Sequence, residues 1–198
     1  MYFRYYSKLI HSAFCIALIC AIGSVLPVLA ADESGFVDPE LRALLKKSVA
    51  EADSFKDRFD AEVWLVAKSE PLSRYIKDPQ ERLTLLRLIH REASRANIQP
   101  SLVLAVIQIE SAFDQFAISS AGALGLMQVM PFWKKEIGRE EDNLMNTEVN
   151  LRYGCTILKY YLDKENGRYA EALARYNGSY GKYWYPEKVL TAWTKRWR

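Results

Sequence analysis

The sequence predicts a mainly α fold: one helical domain preceded by a helical N-terminal extension. Three observations carry that reading. Beyond residue 38, apolar residues recur at intervals of three and four in most segments, the period of an amphipathic helix. Asp followed by Pro stands where such patterns begin, in Asp38-Pro39-Glu40 and Asp78-Pro79-Gln80-Glu81; a capping carboxylate with Pro at the first helical position opens a helix. No run of alternating apolar and polar residues is long enough to define a strand, and there is no internal repeat or long linker.

Residues 1–30 read as an export signal. Arg4 and Lys8 supply the positive start, Ser12 to Leu26 is uncharged and apolar, and Val28-Leu29-Ala30 offers the small residues of a cleavage site. Cleavage is expected after Ala30 or Ala31, placing the protein in the periplasm. The alternative is an uncleaved inner-membrane tether, since Ser12 to Ala31 approaches the roughly 20 residues that span a bilayer. Neither Cys15 nor Cys20 follows the small residues of a lipoprotein signal.

The extension, residues 31–77, is expected to hold one helix with Leu41, Leu44, Leu45 and Val49 as its stripe. A second follows Asp60 with Val63, Trp64 and Val66, interrupted or restarted at Pro71. The main domain, residues 78–198, opens at the Asp78 cap with a helix carrying Leu83, Leu86, Ile89 and Ala93 and fading at Asn97. Pro100 starts the next, which ends at Glu110 and Ser111. Ser119 to Gly125 is a turn-rich loop, Leu126 to Met130 a short helix, and another begins at Pro131 and stops at Gly138. Asn143 to Asn150 supplies caps for a long helix through Tyr153, Leu158 and Leu162 to about Gly167. Tyr169–Tyr176 and Pro186–Trp197 are the last helices, separated by Gly178 to Gly181.

Composition narrows the function. Removing Arg4 and Lys8 from the 27 basic residues leaves 25 against 24 acidic ones, a net charge of +1. The charges are interspersed as on a solvated surface, which argues against a nucleic-acid partner. Beyond the signal one cysteine, Cys155, and one histidine, His90, remain. An intrachain disulfide and a Cys/His zinc site are therefore not expected, and no metal or other cofactor is called. His90, between Ile89 and Arg91, reads as a surface or cap residue with no motif to support a Ser-His-Asp triad.

Glu110 is the candidate catalyst. It ends the apolar run Ser101 to Ile109 and shares a helical face with Val103, Val106 and Ile107. Burial disfavours the carboxylate, so such a group keeps its proton to higher pH and can protonate a leaving group. The competing reading is a helix-end Glu turned to solvent or paired with an Arg.

Glu110-Ser111, Ser119, Gly122-Ala-Leu-Gly-Leu-Met-Gln-Val-Met-Pro131, Asn150-Leu-Arg-Tyr-Gly154 and Ala174-Arg-Tyr-Asn-Gly178 together resemble the catalytic domain of the soluble lytic transglycosylases, over roughly Leu83 to Trp197. The resemblance implies a lysozyme-like helical domain with a sugar-binding cleft. The implied reaction is cleavage of the β-1,4 bond between N-acetylmuramic acid and N-acetylglucosamine in peptidoglycan, leaving 1,6-anhydromuramyl ends. It places the acid/base on Glu110 and cleft roles on Ser119, Gln128, Met130 and Tyr176, with Asn177 beside the tyrosine. Ser119 and Gln128 suit the hydroxyl and N-acetyl groups of an amino sugar, Met130 a pyranose face, and Tyr176 the Glu110 carboxyl or the reacting sugar. Met130 as core, Gln128 as a helix cap, and Gly122 and Gly125 as backbone devices are the competing readings.

A second carboxylate, which ordinary glycosidases use, is not in evidence; Asp114 reads as a cap or turn former. The family's usual Ala before Tyr-Asn is Arg175 here, and Gly-Ser follows instead of Ala-Gly. Tyr180, Tyr183, Trp184 and Tyr185 suit either stacking on sugars at a cleft rim or filling of the core. The expected partners are peptidoglycan glycan strands, with a cell-envelope or secretion apparatus also open, and the expected state is a monomer. The rival readings are a lysozyme-like hydrolase of the same fold and a glycan-binding or assembly protein.

Overall fold

The computed structural model describes Ser54 and residues 58–198. The expected signal and the helix at Asp38 to Val49 lie outside the described residues. Among the described residues seven α-helices follow in order: α1 (Arg58–Leu72), α2 (Pro79–Arg95), α3 (Pro100–Glu110), α4 (Trp133–Ile137), α5 (Thr147–Lys164), α6 (Tyr169–Tyr176) and α7 (Trp184–Ala192), the last running into one π-helical turn, Trp193–Trp197. Among the described residues there is no strand. Two isolated bridges join Ile118 with Leu124 and Leu124 with Val129.

The architecture is built around α3. Leu102 to Ile107 are six consecutive buried residues, so this helix has no solvent face and other elements must enclose it. The α2 and α7 helices and the C-terminal π-turn do so, α5 and α6 complete the core, and α1 packs on α2. Trp193 Nε1 donates to Ser101 Oγ at 2.9 Å and Trp197 Nε1 to Gln108 Oε1 at 2.8 Å, so two tryptophans grip both ends of α3. Their polar edges are satisfied while the rings fill the core.

Several boundaries have local causes that the sequence displays. Asp78 accepts from Gln80 N–H at 2.8 Å with Pro79 next in the chain. Asn146 caps α5 by accepting from Val149 N–H, and Gly138 ends α4.

Four expectations need correction. Pro71 neither breaks nor restarts α1, because it lies in the final turn before Leu72. The buried residues of α1 are Ala61, Leu65 and Leu72, whereas Val63 and Val66 are exposed. Leu126 to Met130 is not a helix. Gln128 takes a left-handed φ of 48°, and Leu124 and Val129 exchange backbone bonds at 2.9 and 3.0 Å, so tertiary anchoring bends the segment into a tight hairpin. His90 is half-buried between α1 and α2, its ring edge-on to Trp64 at 5.0 Å and its Nδ1 2.7 Å from Ser54 Oγ. Burial lowers its pKa to about 4, so it is a neutral packing residue.

Candidate active site

Glu110 is the last residue of α3, where an apolar buried helix meets a reversal of the chain. Ala112 and Phe113 both have positive φ, 50° and 67°. Two successive left-handed residues other than Gly are costly and tend to be held in place at functional sites. Phe113 is locked by its ring contacts with Tyr75 and Trp197. Asp114 then forms the expected turn, accepting from Phe116 N–H at 2.8 Å, and points to no shared task with Glu110.

Three carboxylates are withdrawn from water, and their partners separate them by role. Glu92 is buried, which opposes its charge, yet bonds from Arg152 and Arg95 hold its pKa below the ordinary range. Glu165 is held low foremost by its bond from Arg175, with Arg168 adding to it. Among the described residues Glu110 has no basic partner. Burial pushes its pKa up to about 7, against a smaller opposing effect of a hydrogen bond from Tyr185. That bond, Tyr185 Oη donating to Glu110 Oε1 at 2.5 Å, fixes the carboxyl's orientation. Glu110 is therefore not the solvent-turned or Arg-paired helix end of the competing reading.

Tyr176 behaves differently from its expected role. Its phenol donates to the Met127 carbonyl at 2.7 Å, and Tyr185, 1% exposed, takes the Glu110 carboxyl. Tyr176 still lies close enough for Glu110 to raise its pKa, after the larger effect of burial. It is thus a strap between α6 and the loop below Glu110. Tyr176→Phe is expected to destabilise the fold by about 1–2 kcal/mol, the cost of an orphaned buried carbonyl, measured by denaturant unfolding.

That loop, residues 117–130, carries Ser119, Gln128 and Met130 and is tied down at several points. Ser111 Oγ, the residue after Glu110, donates to Leu126 O at 2.8 Å. Buried Asn150 accepts from Met127 N–H and donates to Leu124 O and Leu144 O, each at 2.8 Å. Asn150 is this close because Gly125 has no side chain: a Cβ there would stand 2.5 Å from Asn150 Nδ2, at a φ of +72°. Gly154 likewise admits Met127, whose sulfur would lie 2.3 Å from an added Cβ. In the sequence Asn150 stands as a possible helix cap and as the first residue of one resemblance block; its bonding role needs the loop folded against it.

Gln128 is not a helix cap. Its Nε2 donates to Ala117 O at 3.1 Å and Gly125 O at 2.9 Å, so both amide protons are used and the amide oxygen remains as an acceptor. Ser119 Oγ accepts from Ala123 N–H at 3.0 Å, which leaves its proton to donate outward. Met130 is half-buried rather than core, and Asn177 is the C-cap of α6. All six candidate residues are partly exposed. Two cavities, of about 910 and 610 Å³, lie elsewhere; both are lined by Ser54, and neither includes a candidate residue.

Of the four C-terminal aromatics, Tyr185 is core, while Tyr180, Tyr183 and Trp184 are exposed. Arg175 bonds Glu165 and lies 3.8 Å from the Tyr180 ring centroid.

The geometry places one proton-bearing carboxyl beside a loop of outward-facing polar groups. The family model for the transglycosylase SLT domain matches residues 87–189, just over half of the chain. The chain belongs to the transglycosylase SLT domain family. The matched span contains Glu110, the hairpin loop, Asn150 and both tyrosines, so every strap described above falls within the SLT domain. The chain is 50% identical over 88 residues to a protein named membrane-bound lytic murein transglycosylase C from Actinobacillus pleuropneumoniae, covering 40% of this chain and 24% of the relative. It is 32% identical over 104 residues to a transglycosylase of enterobacteria phage PRD1, covering 50% of this chain and 38% of that protein. A solved lytic transglycosylase Slt from Pseudomonas aeruginosa matches with 24% identity and a TM-score of 0.45 over 78% of this chain and 31% of that one. The SLT domain chain thus aligns with about a quarter of the length of the first of these relatives.

Proposed function

We propose that this SLT domain protein is a peptidoglycan lytic transglycosylase acting at the cell envelope. The observation that carries the proposal is Glu110: a carboxyl at the end of a buried helix, raised to about 7, without a cationic partner and oriented by Tyr185. Family membership and the names of the relatives support the substrate class.

In the proposed reaction protonated Glu110 gives its proton to the glycosidic oxygen as the C1–O bond of the N-acetylmuramic acid residue breaks. The oxygen of that sugar's N-acetyl group stabilises the cationic carbon, which removes the need for a second carboxylate. Ionised Glu110 then takes the proton of the same sugar's C6 hydroxyl as its oxygen bonds to C1. The proton lent in the first step is recovered, and no water is consumed. Tyr185 donates to Glu110 in both forms and favours the charged one, easing the first transfer. The Gln128 amide oxygen and the Ser119 hydroxyl proton offer an acceptor and a donor to the amino sugar.

The test is mass spectrometry of fragments released from purified peptidoglycan. Products one water lighter than reducing ends are expected. Reducing ends would make the protein a hydrolase, and absence of release would favour a binding or assembly role. Tyr185→Phe is a second prediction. Loss of the donor raises the Glu110 pKa above 7, so the alkaline limb of kcat/KM moves to higher pH while the rate falls by about tenfold, as expected of lost charge stabilisation in a positioned site. The pH–rate profile checks it.

The proposed placement is exported, with the signal at residues 1–30, an extension at 31–77 and the catalytic unit at 78–198. Among the described residues no helix is long and apolar enough to cross a membrane.

A further inference from the structure

We propose that the turn Asn177 to Trp184 is an additional glycan subsite in which the Trp184 indole stacks on a pyranose close to the bond being broken; this rests on the glycan-cleaving reading of Glu110. The segment starts and ends at the site. Tyr176, just before it, is bonded to Met127 O in the loop, and Tyr185, just after it, is bonded to Glu110. One end of the segment is thus tied to the loop beside the carboxyl and the other to the carboxyl itself.

Within the turn the large aromatics face water. Trp184 is 51% and Tyr183 64% exposed, whereas neighbouring Tyr185 is 1% exposed. The Trp184 ring meets Tyr185 edge-on, with centroids 5.9 Å apart at 81°, and Lys188 Nζ lies 5.4 Å from the indole. The indole is held by these contacts and is continuous, through Tyr185, with the catalytic carboxyl. Flat apolar rings suit the C–H face of a sugar, which makes a neutral amino-sugar chain the fitting occupant.

Arg175 is the device that holds the turn. Its guanidinium bonds Glu165 at the end of α5 and stacks with Tyr180 at 3.8 Å, so the outer side of the turn is clasped to the body while Gly178 and Gly181 take φ of 74° and 84°. Preorganised rings lose less freedom on binding than free ones.

The test measures binding of a soluble β-1,4-linked N-acetylglucosamine hexamer to the Glu110→Gln protein by calorimetry and tryptophan fluorescence. Adding Trp184→Ala is expected to weaken binding about tenfold, and Trp184→Phe to restore it to within about threefold, the scale of a partly desolvated aromatic contact. Arg175→Ala should fall between them. Thermal unfolding of the Trp184 variants should be unchanged, because the side chain is half exposed. In the active protein Trp184→Ala should raise KM and spare kcat. Equal binding by Trp184→Ala and its parent, or no binding of the hexamer by the parent, would overturn the subsite. Trp184-dependent binding in a protein that releases nothing from peptidoglycan would overturn the cleavage reading and leave the subsite standing.

Discussion

Glu110→Gln is expected to lower release of peptidoglycan fragments by about 10³-fold, within the range a positioned general acid contributes. The amide fits the same space and still accepts from Tyr185, so substrate binding should persist while proton transfer is lost. The charge state gives a second, independent readout. Burial raises the Glu110 pKa from 4.5 to about 7, so the folded protein holds a proton there that the unfolded chain has already lost. The stabilisation is full below about pH 4.5 and disappears as pH rises through 7. Glutamine carries no charge at any pH. The variant should therefore match the parent near pH 5 after allowance for the altered bond. At pH 8 and above it should be more stable by up to about 3 kcal/mol, the free energy of a shift of this size. Activity of the parent should fall through the same interval, because the acid is needed protonated. Muropeptide analysis and denaturant melts at the two pH values check both halves. A variant that retains activity removes Glu110 from the mechanism. One that loses activity without the alkaline gain in stability leaves Glu110 as catalyst but denies that burial sets its proton affinity.

The largest structural effect is expected at Asn150. Asn150→Ala deletes three hydrogen bonds at once and orphans Met127 N–H and Leu144 O, while Leu124 O keeps its bond from Val129 N–H. With each unsatisfied buried group costing about 1–3 kcal/mol and some relaxation of the loop, a loss of about 3–5 kcal/mol is expected, a large share of a single domain's stability. Asn150→Asp keeps the acceptor for Met127 N–H and should fall between. Because the loop carries Gln128 and Met130, kcat/KM should decline even under conditions where the variant is fully folded. Urea unfolding and kinetics on the same preparations separate the two effects, and a stable variant with normal kinetics would deny Asn150 its role as the strap.

The helical ladder was largely visible in the residues, for reasons that are local. Asp78 before Pro79, Asn146 before α5 and Gly138 set helix ends through bonds spanning two to four residues, and Pro100 sets one through its fixed φ. The prediction failed where distant contacts decide. The Gly125 to Met130 stretch has an apolar composition that allows a helix, yet Asn150, Ser111 and Tyr176 each take one of its backbone groups and hold it as a hairpin. Val63 and Val66 suggested one face of α1, and packing on α2 selected another.

The same division runs through the site. Glu110 was legible because a carboxyl at the end of Ser101 to Ile109 is anomalous in the sequence itself, and the family resemblance named its neighbours. Which tyrosine serves it was not legible. Tyr176 and Tyr185 are both aromatic phenols close to the C-terminus, and only the crossing of α7 over α3 brings the second to the carboxyl, 75 residues away in the chain. The sequence alone thus determined the helices, the acid and the family resemblance, since each is encoded in short patterns. Tertiary structure alone decided the Glu110 pKa, the hand of the loop and the tyrosine that orients the carboxyl, because burial and hydrogen-bond partners are properties of surfaces that meet only after the chain has folded.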